Sequence, residues 1–111
     1  MDQLEQYRNI IERLLTQHVG ELKDYAEMRD KTVFDHRSDS YLLMREGWDN
    51  GRRIHTVVSH LEIRNGKIWI QEDWLEHGIA AELEEAGVPK NEIVLGFQPP
   101  YVRPYTEYAA A

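Results

Sequence analysis

Apolar residues recur at intervals of three and four from Leu4 onward: Leu4, Tyr7, Ile11, Leu14, Leu15, Leu22 and Tyr25, with His18 inside the same stripe. That spacing puts them on one helical face and predicts a helix over Leu4–Met28, with Glu5, Glu12, Arg13, Glu21 and Lys23 mostly off the face. Gly20 is its soft point, costing about 1 kcal/mol relative to alanine. The period then changes. Thr32–Arg37 and Tyr41–Trp48 are β-rich runs separated by Ser38-Asp39-Ser40, and Asp49-Asn50-Gly51 supplies a second turn. Arg53–Arg64 and Lys67–Glu72 flank Asn65-Gly66, the strongest short hairpin signal there is. A two-residue loop there sets Arg64 against Lys67, Ile63 against Ile68 and Leu61 against Ile70, with Val57 on the same apolar face. Glu62 opposite Trp69, and His60 opposite Gln71, fall on the other face.

After Asp73, a second helix carries Leu75, Ile79, Leu83 and Ala86 on its inner stripe; Gly87 closes it and Pro89 prevents continuation. Ile93–Phe97 is a short extended run, and Pro99-Pro100 and Pro104 make the last dozen residues a stiff extended arm. The predicted architecture is a single α+β domain over residues 1–111. It comprises an N-terminal helix, a four-stranded antiparallel meander, a second helix, and a short extended segment and arm (α-β-β-β-β-α). Both helices pack on one sheet face.

Composition narrows the chemistry. The 111 residues hold no cysteine, which removes disulfides, thiolate metal sites and cysteine nucleophiles. Apolar runs stop far short of the roughly 20 residues a membrane span needs. An acidic N-terminus stands where a secretory leader carries base, so a protein of the reducing cytoplasm is expected. The net charge of −7 is unevenly spread. Residues 72–92 hold seven acids against one base, while residues 45–71 hold five bases against three acids. DNA binding draws its affinity mainly from phosphate neutralisation, so this balance argues against direct nucleic-acid binding.

Candidate reaction chemistry is sparse. His55 and His60 share a strand at an odd spacing and point to opposite faces, unless a bulge intervenes. His18 reads as a buried or interface histidine, and no His/Asp/Glu group shows metal-ligand spacing. Ser59 and His60 are neighbours on a strand and face apart, so the base does not reach the hydroxyl. There is no glycine-rich phosphate loop or nucleophile elbow. Glu21-Leu22-Lys23 matches half of a nuclease signature, but on a helix, where carboxylates do not converge from a sheet onto an ion. No catalytic residue, metal ligand or cofactor site is therefore assigned. The helix 1 stripe, Trp69 and the tyrosine-rich arm offer more apolar surface than one small core needs, which predicts a homo-oligomer formed through the arm or the outer sheet face.

Several blocks together resemble one family. They are Gly66-Lys-Ile-Trp-Ile-Gln71, Gly78-Ile-Ala-Ala-Glu-Leu83, Ala86-Gly-Val-Pro-Lys90, Glu92-Ile-Val-Leu-Gly-Phe97 and Pro99-Pro-Tyr-Val-Arg-Pro-Tyr-Thr106. Over essentially its whole length the chain resembles the XisI-like family, the fdxN element excision controlling factors. Trp74-Leu75 departs from that pattern, being bulkier and more apolar than the small or polar residues expected there. The resemblance implies accessory, non-enzymatic action in programmed DNA rearrangement by a site-specific recombinase, through a XisH-like companion of the endonuclease fold. A companion with a basic surface directs attention to the acidic helix (Glu82, Glu84, Glu85) and to the arm (Arg103, Tyr105, Tyr108) as partner-binding residues. A DNA-binding directionality factor and a small enzyme are the alternatives.

Overall fold

The structure is a computed structural model that describes residues 2–21 and 27–111. Helix α1 runs Gln3–Gln17, and Asp2 caps its start by accepting from the Glu5 amide at 2.8 Å. Strands β1 (Glu27–Asp35), β2 (Ser40–Asp49), β3 (Arg52–Arg64) and β4 (Lys67–Asp73) follow, then α2 (Ile79–Glu85) and β5 (Ile93–Leu95). The sheet order is β1-β2-β3-β4-β5. The first four strands form the expected antiparallel meander, and β5 joins it parallel to β4. Ile93–Leu95, within the short extended run expected over Ile93–Phe97, is this fifth strand and pairs with Ile68–Ile70.

Helix α1 is shorter than the apolar spacing implies. It ends at Gln17, Gly20 takes φ +86°, and the Gly20 amide donates to Asp30 Oδ2 at 3.0 Å. The chain thus turns where glycine permits it and is fastened to β1. Leu22 and Tyr25 lie outside the described residues, whereas Met28 belongs to β1 opposite Gly47. Strand β1 begins at Glu27 rather than Thr32, because pairing with Arg45–Trp48 satisfies its backbone groups. Helix α2 is also shorter. Leu75 sits in the preceding loop, which Asp73 organises by accepting from the Leu75 and Ile79 amides at 3.1 and 2.8 Å.

The turns behave as their residues dictate. Asn65-Gly66 and Asn50-Gly51 each place both residues at positive φ, the backbone of a type I′ hairpin. Around Asn65-Gly66 the register is Arg64↔Lys67, Ile63↔Ile68, Glu62↔Trp69 and Leu61↔Ile70. Beyond it a bulge shifts the ladder, so His60 faces Glu72 and not Gln71. A second irregularity, where Leu43↔Ser59 is followed by Met44↔Val57, leaves Val58 as the extra residue. Val58 is therefore the buried residue there, and Val57 lies on the opposite face, half-buried. The bulge also overturns the parity of the histidines. His60 faces Leu42 and His55 faces Glu46, so both lie on the outer face of the sheet.

The core lies between the helices and one sheet face. Tyr7, Ile11, Leu14 and Leu15 of α1 meet Tyr41, Leu43, Leu61, Ile63, Ile68 and Ile70 of the sheet and Ile79 and Leu83 of α2. Each fully buried aliphatic side chain contributes roughly 1.5–3 kcal/mol. Among the described residues, cover over the outer face lies beside β4 and β5, where Arg103 reaches over Trp69. There the C-terminal segment runs back along β5, where Ala109 makes a parallel bridge with Val94 and its amide donates to Ile93 O at 2.8 Å. Instead of an extended arm, residues 99–106 form successive tight turns, including a 3₁₀ turn at Arg103–Tyr105.

Candidate partner-binding surface

The acidic helix and the C-terminal segment, separate in the sequence, meet in space. Tyr108 donates its hydroxyl to Glu84 Oε2 at 2.7 Å, and Lys90 pairs with both Glu84 and Glu107. The hydrogen bond from Tyr108, then the Lys90 charge, holds the Glu84 carboxyl below its usual range. Burial, reinforced by Glu84, pushes the Tyr108 phenol up to about 12. The Lys90 ammonium is raised by its bond to Glu107. Lys90 was not among the residues singled out, though it is the one base in an otherwise acidic stretch.

Glu82 has a different task. Its carboxylate receives His18 Nε2 at 2.7 Å, and His18 Nδ1 meets Glu21, so the end of α1 is tied to α2. Burial pushes the nearby Asp73 carboxyl up, with the Glu82 charge adding to the rise against the two amides Asp73 accepts. Arg103 turns inward. It donates from Nε to Gln98 O at 3.0 Å and from the guanidinium to Gly96 O at 3.3 Å, and lies 5.1 Å from the Trp69 ring centre. Arg64 also lies over the same ring, at 4.8 Å from its centre, and Trp69 is only 8% exposed. Both Arg64 and Arg103 stack there as cation–π partners.

Of the six residues singled out, Glu82, Glu84, Arg103 and Tyr108 thus have internal partners. Glu85 and Tyr105 point to solvent, and Tyr105 is 90% exposed. Phe97, Tyr101 and Trp74 are likewise exposed. Shallow cavities of about 230 and 250 Å³ lie between α1 and α2, sharing Arg13 and Ala86 in their walls.

Elsewhere the geometry offers parts of reaction sites without completing one. Ser40 Oγ lies 2.8 Å from His60 Nε2, a contact the sequence did not reveal because it crosses from β2 to β3. Glu62 approaches the same ring nitrogen at 3.9 Å, whereas an orienting acid in a nucleophilic triad serves the other nitrogen. Glu21 of the half-signature lies in the turn after α1, and Leu22 and Lys23 are outside the described residues. Among the described residues no group of three His, Asp or Glu is placed to hold a metal ion. Among them, too, no helix is long and apolar enough to cross a membrane.

Fold and surface together define an α+β protein with its helices on one side of a mixed sheet and its C-terminal segment strapped across part of the other. The chain belongs to the family described as XisI protein, whose sequence profile matches residues 1–110. Two solved structures from Anabaena variabilis ATCC 29413 are similar throughout. A XisI-like protein is 35% identical with a TM-score of 0.89, covering 98% of this chain and 100% of that one. The fdxN element excision controlling factor XisI is 36% identical with a TM-score of 0.81, covering 99% and 100%. No match is found among curated proteins.

Proposed function

We propose that this chain is a non-enzymatic controlling factor for programmed excision of an fdxN-type DNA element by a site-specific recombinase, acting in the cytoplasm through a XisH-like endonuclease-fold companion. The observation that carries this reading is membership of the XisI family over residues 1–110, with a 36% identical structural neighbour named as an excision controlling factor. The surface chemistry agrees with a protein partner rather than DNA. A nuclease-like companion presents a basic path to phosphates, and the stretch 72–92, with seven acids to one base, complements it.

Co-expression with the companion tests the proposal. A stable complex that weakens as salt rises, and that alters excision when this chain is withdrawn, is the expected result. Failure to co-purify at low salt, together with a gel shift of fdxN border DNA by this chain alone, would replace it with a DNA-binding directionality factor.

A further inference from the structure

The two edges of the sheet are finished differently. The C-terminal segment closes β5, where Ala109 bridges to Val94. At the opposite edge β1 pairs with β2 alone, in unbroken register over Glu27–Asp35, with no proline, glycine or bulge to blunt it. Hydrogen-bond alternation shows which of its backbone groups are spare. The Ile63 amide donates to Asp39 O at 3.0 Å, so Asp39 and Tyr41 turn their backbone groups toward β3, and Ser40 and Leu42 turn theirs toward β1. Ser40 and Leu42 thereby satisfy Asp35 and Val33, while the amides and carbonyls of Thr32 and Phe34 point out of the sheet. Among the described residues none of these outward groups is bonded outside the ladder.

The side chains of β1 select what can pair there. Its outer face reads Glu27, Arg29, Lys31, Val33, Asp35, all exposed. A second β1 laid antiparallel about a two-fold axis, with both cores on the same side, has only a few alignments. Centred on Lys31, the pairing sets Lys31 against Lys31 and Glu27 against Asp35; centred on Asp30, it sets Arg29 against Lys31. Like charges directly opposite are destabilising. Centred on Val33, it sets Val33 against Val33 and Lys31 against Asp35 on either side of the axis, with Thr32 against Phe34 on the inner face. Centring on Thr32 offers Arg29 to Asp35, but Arg29 is already held by Glu46 at 3.0 Å, whereas Lys31 has no partner among the described residues. Val33, 41% exposed, meets another apolar side chain only in the alignment centred on itself.

We infer that β1 of one copy adds antiparallel to β1 of a second copy about a two-fold axis at Val33, joining the two five-stranded sheets into a continuous one. Main-chain hydrogen bonds between Thr32 of each copy and Phe34 of the other hold the strands, and the Lys31–Asp35 pairs fix the register. This contact stands independently of the excision reading, since it requires only this chain.

Sedimentation of the full chain over a range of micromolar concentrations, with amide exchange over the same range, tests it. The chain associates, and the Thr32 and Phe34 amides exchange about tenfold slower or more in the associated form. The Met28 amide, on the same edge beyond the paired stretch, keeps one rate. Lys31→Glu and Asp35→Lys each place like charges on both sides of the axis and weaken association by about tenfold or more. In an equimolar mixture of the two variants every such pair is again of opposite charge, so the mixture associates more strongly than either alone. Asp35 also accepts from the Arg37 amide and the Ser38 hydroxyl in its own turn. If Asp35→Lys lowers the melting temperature, Val33→Lys, which sets two ammonium groups against each other on the axis, takes its place with the same expected loss. A wild type that stays monomeric, a variant that associates like the wild type, or a mixture no stronger than its components overturns the proposal. Association that leaves the Thr32 and Phe34 amides at one rate also overturns it, and assigns the contact to the outer sheet face or the C-terminal segment.

Discussion

Replacing Arg103 by alanine should release the C-terminal segment while leaving the rest of the domain folded. Three contacts disappear together: the stack on Trp69 at 5.1 Å, the bond to Gln98 O at 3.0 Å and the longer bond to Gly96 O at 3.3 Å. The partly desolvated cation–π contact contributes about 1 kcal/mol, and a bond from a charged donor to a carbonyl about 1.5 kcal/mol. With the 3.3 Å bond counted as weak, the loss comes to about 2–3 kcal/mol. That loss falls on local opening of residues 96–111, which remain tied by the Tyr108–Glu84 bond, the Lys90–Glu107 pair, the packing of Tyr108 on the core and the Ala109 bridge. Native-state amide exchange reads it directly. The Thr106 and Ala109 amides, which donate to Arg103 O and Ile93 O, should exchange about 30- to 150-fold faster. Amides in the Leu61–Ile63 stretch of β3 should keep their wild-type protection. Arg103→Lys retains the charge but not the planar fork, and should fall between the two. Unchanged exchange at Thr106 and Ala109 would refute the reasoning, and so would equal acceleration in β3, because the segment would then open only with the whole domain.

Three further outcomes follow from other contacts. Gly66 sits at φ +77° with open space where a Cβ would lie, so Gly66→Val carries a backbone penalty alone. It should lower stability by about 1–3 kcal/mol, while Gly66→Asn, which tolerates that conformation, costs much less in a thermal melt. Glu82→Ala leaves His18 Nε2 without its acceptor and should destabilise by about 1–2 kcal/mol, whereas Glu85→Ala should leave the denaturation midpoint of the monomer unchanged. Asp39 is held below the usual carboxylate range by Arg8, then by Tyr41, against its burial. Burial raises Asp30, but Arg45 and the Gly20 amide outweigh it and the carboxyl ends lowered. A lowered folded-state pKa contributes stability above the unfolded value of about 4 and loses it as pH falls through the folded value. Asp39→Asn should therefore flatten the acid limb of a stability–pH curve below about pH 4, while Asp73, raised by burial, acts in the opposite sense.

The elements that local rules govern were legible in the sequence. Period alone marked α1 and the α+β class, and Asn65-Gly66 set a hairpin whose register holds from Arg64↔Lys67 to Leu61↔Ile70. These features depend on residues within a few positions of one another, where spacing and turn backbone are sufficient. The misplaced boundaries share one cause. An apolar stripe past Gln17 is compatible with helix, but Gly20 caught by Asp30, and β1 paired back to Glu27, are contacts ten to twenty-one residues apart. The bulge at Val58 moved one valine into the core and two histidines onto one face, and nothing in strand alternation announces it. The parallel pairing of β5 depends on a crossover through α2 that only the packed core selects.

The surface divides in the same way. Residue type identified an acidic helix and an aromatic arm, and the family resemblance directed attention to them. The tertiary structure decided which side chains remain available, because Glu82, Glu84, Arg103 and Tyr108 find partners 5 to 64 residues away in the chain while Glu85 and Tyr105 find none among the described residues. A side chain's chemistry is written in its residue type, but whether that chemistry is already satisfied depends on neighbours brought together only when the sheet, the helices and the C-terminal segment pack.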